Sequence, residues 1–347
     1  MPRAIANLLA GRHDITVVGR AWSRVPVKSS EEEKFTKIIL PYSTNWLLRK
    51  KFPFSLRKKL LQLKPDLVVT EENFLPWTPS SLNRIVWARS PITCFRDVGR
   101  DFDSCSECMS FGNRFRLAVR KRFFKGVHVI CNSNFTRERC LWPEAMAMQK
   151  VIYNGVDTEK YREIGKKNQI LYLGRLYDVK GIESTIDAFR ALQKDFPRTK
   201  LVIAGRGLPE DEERYRARAK GLNVDFLGYV EGKEKWRLYN ESLLFVSPTQ
   251  KKCEETFGIA NAEAMACKLP VVACSTGGVS EVVLDGKTGF LVRPKDTGAV
   301  EESMRALLDD EKLRKRMGEA GRKRVLENFD IREIAKQHEA FYREVVG

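Results

Sequence analysis

Short apolar runs recur along nearly the whole chain, each separated from the next by an amphipathic or polar stretch, and this alternation leaves few folds open. In the first half the runs are Ile15 to Val18, Lys37 to Leu40, Asp66 to Thr70, Ile92 to Phe95 and Val127 to Cys131. In the second half they are Gln169 to Leu173, Lys200 to Ala204, Val224 to Leu227, Leu243 to Val246 and Val271 to Cys274. Strands covered on both faces need no polar residue at every second position, so the pattern predicts parallel sheets sandwiched between helices. Between Gly181 and Lys194, Ile182, Ile186, Phe189 and Leu192 fall on one face of a helix and are expected in the core.

The series occurs twice, and 347 residues exceed the usual single domain. The expectation is an α/β protein of two Rossmann-like doubly wound domains, residues 1–160 and 161–330, with 331–347 as a separate C-terminal helix. The polar stretch KVIYNGVDTEKYREIGKKNQ, with Asn154-Gly155 as turn punctuation, carries the boundary. A doubly wound domain normally opens on a buried strand and a glycine-rich turn. This chain opens on what reads as the following helix, Pro2 to Ala10, so the first strand and its turn are expected to be missing and an N-terminal piece to be lost.

Composition narrows the function. With 43% hydrophobic and 31% charged residues the chain can bury a core, which excludes wholesale disorder. No stretch approaches the roughly 20 apolar residues of a spanning helix, and the N-terminus lacks a secretory pattern, so a cytoplasmic location is expected. The eight cysteines then read as reduced thiols. The net charge of +17 is uneven: residues 1–160 hold 28 Lys and Arg against 15 Asp and Glu, and residues 161–347 hold 34 against 30. A basic first half implies an anionic partner, whether nucleic acid, phospholipid or a phosphorylated carrier.

Two segments carry candidate chemistry. In EETFGIANAEAMACKLPVV, Thr256-Phe257-Gly258 leads into a short helix whose first amides and positive dipole end make an anion seat. Glu255 precedes that helix and Glu263 lies about two turns inside it, so both carboxylates can face one ligand, and carboxylates pair well with sugar hydroxyls. In Gly174-Arg175-Leu176-Tyr177-Asp178-Val179-Lys180-Gly181, Arg175 and Lys180 flank a strand-to-helix turn at the carboxyl edge of the sheet, where two cations suit a diphosphate. Taken alone, either segment also reads as a solvated surface loop.

With Gly205-Arg206-Gly207, Gly228-Tyr229 and Gly277-Gly278-Val279-Ser280-Glu281 added in order, the chain resembles the retaining glycosyltransferase family 4, the group 1 glycosyl transferases of the GT-B fold. The resemblance is densest from Val151 to Gly289; its paired glutamates match Glu255 and Glu263, and its Arg-x4-Lys matches Arg175 and Lys180. It implies two facing domains, a C-terminal helix packed back on the first, and a cleft that closes on its donor. It also implies transfer of a hexose from a UDP- or GDP-sugar to a glycan or lipid-phosphate acceptor, with no metal and no cofactor. Arg175 and Lys180 would grip the diphosphate, assisted by amides around Phe257 and Gly258 within the run Thr256 to Ile259. Glu263 would hold the ribose, Glu255 the donor sugar, and the base would sit near Gly205, Arg206 and Tyr229. Where the family carries a His-Asp pair, Thr93-Cys94-Phe95-Arg96-Asp97 places Arg96, which cannot act as a neutral acceptor or general base.

Two basic aromatic runs lie on the acceptor side. One, Trp46 to Lys64, holds Arg49, Lys50, Lys51, Lys58 and Lys59; the other, Phe111 to Lys125, holds Arg120, Lys121 and Arg122. Such mixtures suit a helix lying in an anionic membrane surface, and equally a helix with one solvated face. They add a peripheral place at the inner membrane face to the expectation. Cys105-Ser106-Glu107-Cys108 has zinc-ligand spacing but no second pair, Asp101-Phe102-Asp103 fits no nucleotide site, and His13, His128 and His338 are scattered, so no metal is expected and the histidines read as structural. Competing readings are a nucleotide-sugar-binding protein with little or no transfer, a nucleotide-sugar epimerase of the same fold, and a basic nucleic-acid-binding protein.

Overall fold

The computed structural model describes residues 5, 8–9, 13, 16–20, 36–40, 51–70, 80–88, 121–139, 143–160, 164–250 and 255–347. In the first half, β1 (Thr16–Arg20) pairs in parallel with β2 (Thr36–Leu40), and α1 (Lys51–Leu63) follows. A four-stranded parallel sheet then runs in sequence order through β3 (Leu67–Thr70), β4 (Asn83–Ala88), β5 (His128–Cys131) and β6 (Met148–Val151). Between β5 and β6 lies the short helix α2 (Asn134–Glu138), whose N-cap Ser133 accepts a hydrogen bond from the Thr136 amide.

The second half is a six-stranded sheet of β7 (Gln169–Leu173), β8 (Lys200–Ala204), β9 (Val224–Gly228), β10 (Leu244–Ser247), β11 (Val271–Cys274) and β12 (Gly289–Val292). Its spatial order is β12-β11-β10-β7-β8-β9, all parallel. The chain winds outward from β7 to β9, crosses back, and continues from β10 on the other side. That reversal is a topological switch point, and the crevice beyond the carboxyl ends of β7 and β10 is where such sheets hold ligands.

Successive strand residues point to opposite faces, and each face has its own core. Leu171, Val202, Phe245 and Val271 pack with Leu238 and Tyr239 of α5 (Gly232–Glu241) and Ala262 and Met265 of α6 (Ile259–Ala266). Ile170, Tyr172, Leu201, Ile203 and Val246 pack with Ile182, Ile186, Phe189 and Leu192 of α3 (Ile182–Leu192) and Tyr215 of α4 (Pro209–Arg218). The four residues of the predicted α3 stripe are fully buried. A short helix α7 (Val279–Val282) lies between β11 and β12, and α8 (Thr297–Asp309), α9 (Glu311–Asn328) and α10 (Ile331–Val346) complete the chain. Ile334, Ala335 and Phe341 of α10 share a core with Ile85 and Ile130 of the four-stranded sheet and with Ile5 and Leu9.

Three strands, β4, β6 and β12, were absent from the sequence reading, and β6 lies at the start of the stretch read as a polar boundary. β6 is half-buried throughout, and Met-Gln-Lys-Val carries no apolar pattern. The predicted run Ile92 to Phe95 lies outside the described residues.

Candidate functional site

The site grows from three turns at the carboxyl edge of the six-stranded sheet. After β7 the chain makes the turn Gly174–Gly181, braced from within by Tyr172, whose buried hydroxyl donates to the carbonyls of Arg175 (3.2 Å) and Lys180 (3.4 Å). From outside, the Asp178 carboxylate accepts from the Tyr215 hydroxyl at 2.6 Å and from Arg214. Held at both ends, the turn presents Arg175, which is exposed with its guanidinium 5.6 Å from the centre of the Tyr177 ring, and Lys180, which points inward. The turn after β8 lies directly against it. Gly205 has φ +152°, and a Cβ there would stand 1.7 Å from the Gly174 carbonyl oxygen, so any larger residue would push the two turns apart. The sequence reading gave Gly205 a donor-binding part; this close approach is a packing reason for the same residue.

The third turn, beyond β10, carries Glu255 to Gly258. Lys180 Nζ and the Glu255 carboxylate form an ion pair in which the lysine side chain is only 13% exposed. The Glu255 carbonyl accepts from the Gly278 amide at 2.7 Å, which ties this turn to the one after β11. Phe257 is buried, its ring centre 5.3 Å from that of Phe329 and 5.9 Å from that of Tyr153. Gly258, at φ +82°, caps α6, so the opening amides of that helix look out beside Glu255. Because α6 begins at Ile259, Glu263 sits just over one turn inside it rather than two.

Glu263 does not stand alone. Both of its carboxylate oxygens accept from Lys235 Nζ, at 2.7 and 2.8 Å, and one accepts from the Tyr239 hydroxyl at 3.2 Å. Lys235 escaped the sequence reading; the available signal was that Lys235 and Tyr239, four apart, share one face of α5. Arg206 and Tyr229 are exposed at the ends of the neighbouring strands, and the Tyr229 hydroxyl donates to Glu231 at 3.0 Å, which raises its pKa. Each carboxylate of the glutamate pair therefore holds a lysine, and Arg175 adds a third cation. Such a set suits a ligand that brings negative charge to the lysines and hydroxyls to the carboxylates.

The four-stranded sheet reaches this site through the turn after β5. Asn132 Nδ2 donates to Thr256 Oγ1 at 3.1 Å. The carboxyl edges of the two sheets thus face one another across residues 132–135 and 255–281. Arg96, Arg49, Lys50 and Arg120 lie outside the described residues, as do Cys105, Cys108, Asp101 and Asp103, and so does the side chain of Lys51. Lys58 is exposed and Lys59 half-buried on α1; Arg122 is exposed, and Lys121 pairs with Glu144 at 2.5 Å. Among the described residues no group of three His, Cys, Asp or Glu side chains could hold a metal ion. No described helix is long and apolar enough to cross a membrane.

A family model described as glycosyl transferases group 1 matches residues 156–324, and one described as glycosyltransferase family 4 matches residues 3–160. The chain belongs to the group 1 glycosyltransferases. It is 32% identical over 188 residues to the capsular polysaccharide biosynthesis glycosyltransferase CapM of Staphylococcus aureus, covering 53% of this chain and 48% of CapM. It is 34% identical over 216 residues to the phosphatidyl-myo-inositol mannosyltransferase of Mycobacterium leprae, covering 58% and 55%. This group 1 chain thus spans about half the length of the curated relatives it matches. Among solved structures, sucrose-phosphate synthase of Thermosynechococcus elongatus superposes with TM-score 0.79 at 20% identity, over 99% of this chain and 92% of the other. Anabaena HepE, solved with UDP and glucose, superposes with TM-score 0.74 at 19% identity, over 98% and 94%. These likenesses establish the GT-B fold.

Proposed function

We propose that this protein is a retaining hexosyltransferase that takes its sugar from a UDP- or GDP-linked donor and passes it to a glycan or lipid-phosphate acceptor. The observation that carries the reading is the Lys180–Glu255 ion pair at the switch-point crevice, beside the opening amides of α6. A cation and a carboxylate held together there are the two halves of a seat for a sugar diphosphate: the diphosphate takes the lysine, and the released carboxylate meets sugar hydroxyls. Arg175 and Lys180 then stabilise the charge that grows on the leaving diphosphate as the glycosidic bond breaks. Lys235 orients Glu263 towards the ribose. With two fixed cations and helix amides aimed at the diphosphate, the reaction is proposed to need no metal. HepE, a fold neighbour, was solved with UDP and glucose, and the same class of donor is proposed here.

The test is a thermal-shift panel of nucleoside diphosphates and their sugars, since a ligand that binds only the folded state raises the melting temperature. The nucleotide that shifts it is then assayed for sugar release and transfer with and without chelator. A UDP- or GDP-sugar that stabilises the protein and is turned over in chelator supports the proposal. Stabilisation without turnover would make the chain a nucleotide-sugar-binding protein, and no shift with any of the panel overturns the reading.

A further inference from the structure

One carboxylate that the donor chemistry does not use joins the two halves beside the donor loop. Glu281, on α7 after the Gly277-Gly278 turn, reaches across to the turn after β5. There its Oε2 accepts from the Asn134 amide at 2.8 Å and from Asn134 Nδ2 at 2.9 Å, and its Oε1 accepts from the Phe135 amide at 2.8 Å. The Tyr153 hydroxyl, on the chain leaving β6, donates to Oε2 at 3.1 Å and itself accepts from Asn134 Nδ2 at 3.1 Å. Behind Glu281, Arg324 donates to the carbonyls of Glu281 (2.6 Å) and Val282 (2.9 Å) and fixes the backbone from which the side chain extends. Four donors from one half of the chain thus converge on one acceptor from the other.

The same turn carries Asn132, which binds Thr256 of the donor loop, and it is stiffened internally. Asn132 Oδ1 accepts from Thr136 Oγ1 at 2.7 Å, and Ser133 Oγ donates to Thr136 Oγ1 at 2.9 Å, with Asn132, Ser133 and Thr136 all buried. A Cβ on Gly278 would lie 2.2 Å from the Thr256 carbonyl oxygen and 3.2 Å from Ser133 Cβ. Thr256, Gly278 and Ser133 are therefore packed one on the next. The β5 turn, the Gly277-Gly278 turn and the loop that holds Glu255 are thus in direct contact.

We infer that Glu281 is a positioning residue for transfer: its carboxylate clamps the β5 turn of the first half onto the donor loop and so sets the distance between donor and acceptor sides. Only a carboxylate serves. In Glu281→Gln one oxygen becomes an NH2 that faces amide donors, so at least one contact turns repulsive while size is kept. The inference rests on the transferase reading, and it assigns Glu281 no contact with the donor.

The experiment compares the full-length wild type with Glu281→Gln, Glu281→Asp and Tyr153→Phe, reading three quantities in each: affinity for UDP, kcat for transfer and melting temperature. The expected result for Glu281→Gln is a kcat lowered about 10- to 100-fold, because a misplacement of about 1 Å costs up to that much, with UDP affinity within about threefold of wild type. Glu281→Asp keeps the acceptor on a shorter arm and should recover part of the rate. Tyr153→Phe removes one donor of four and should cost only a few-fold. Unchanged kcat in Glu281→Gln overturns the inference, as does a parallel loss of UDP binding, melting temperature and kcat, which would mark a purely structural residue. If the wild type transfers no sugar, the functional proposal fails and takes the part in transfer with it. The clamp between the two halves is then tested by protease cutting near residue 160, which Glu281→Gln should accelerate and which unchanged cutting would contradict.

Discussion

Lys180 and Glu255 are each other's partner, so a ligand must compete with one residue for the other. This gives the two substitutions opposite effects on binding. Lys180→Ala removes a charge-assisted contact worth about 1.5–3 kcal/mol, and should weaken UDP about 10- to 100-fold. Glu255→Gln releases Lys180 from its ion pair, and should leave UDP affinity equal to wild type or tighter by a few-fold, while sugar transfer falls by two orders of magnitude or more (~10²) for want of the carboxylate. Isothermal titration with UDP alongside a transfer assay separates the two. Weaker UDP binding in Glu255→Gln would show that the carboxylate touches the nucleotide and not the sugar. The same logic reaches Glu263, whose two oxygens are both held by Lys235. Residue types and order were enough to single out Arg175, Lys180, Glu255 and Glu263. Their mutual pairing, and Lys235, Tyr172 and Tyr215 behind them, were not legible, because hydrogen bonds between turns distant in sequence leave no mark on local periodicity.

At the scale of elements, the three histidines that look scattered in sequence converge on α10. His338 lies within it and is fully buried, with Nδ1 3.1 Å from the Tyr342 hydroxyl; the His128 ring stands 6.2 Å from that of Phe341; and His13 Nε2 lies 2.9 Å from Glu339. Burial pushes His338 down to about 4 from an ordinary 6.5, and burial also lowers His128, against a smaller upward pull from Glu344. His338 is held neutral in the fold, whereas the unfolded chain takes up its proton below about pH 6.5. The stability that a neutral His338 protects is complete above pH 6.5 and is lost as pH falls towards 4. The loss from His338 amounts to roughly 2 kcal/mol between pH 6.5 and 5. Melting temperature measured across that window should fall in wild type and fall less in His338→Gln; equal slopes would refute the assignment. This interface shows what patterning reads and what it misses. The boundaries of β7, β8 and β11 could be read to the residue, and those of α10 to within one, because the apolar periodicity of a buried element spans its whole length. β4 and β6 could not, since β4 has an Asn-Arg start and β6 is half-buried, so neither presents an unbroken apolar run.

On the scale of the whole molecule, charge is divided as function would divide it. The half that is proposed to meet the acceptor carries +13 and the half that holds the donor seat +4, although the donor itself is anionic. An excess on that half suits a second anionic partner. On α1 the exposed Arg57 and Lys58 neighbour Leu61 and Leu63, which are 47% and 38% exposed, while Leu60 is buried against the protein. Cations beside outward leucines suit a surface that is charged at its face and apolar just beneath, as an anionic bilayer is. Each lysine near such a surface contributes about 1 kcal/mol, so Lys58→Gln with Lys59→Gln should weaken binding to phosphatidylglycerol vesicles about 30-fold at low salt and leave UDP affinity unchanged. Wild-type binding should fade as salt rises towards about 1 M, where charges are screened within about 3 Å, and should be absent on neutral lipid. Flotation with the two lipids measures this directly. Duplex DNA added in competition decides between the partners that the charge alone allows. If DNA strips the protein from the vesicles at equal charge, the basic half is a nucleic-acid surface and the membrane reading fails; if the vesicles keep it, the exposed leucines contribute what no phosphate backbone can replace.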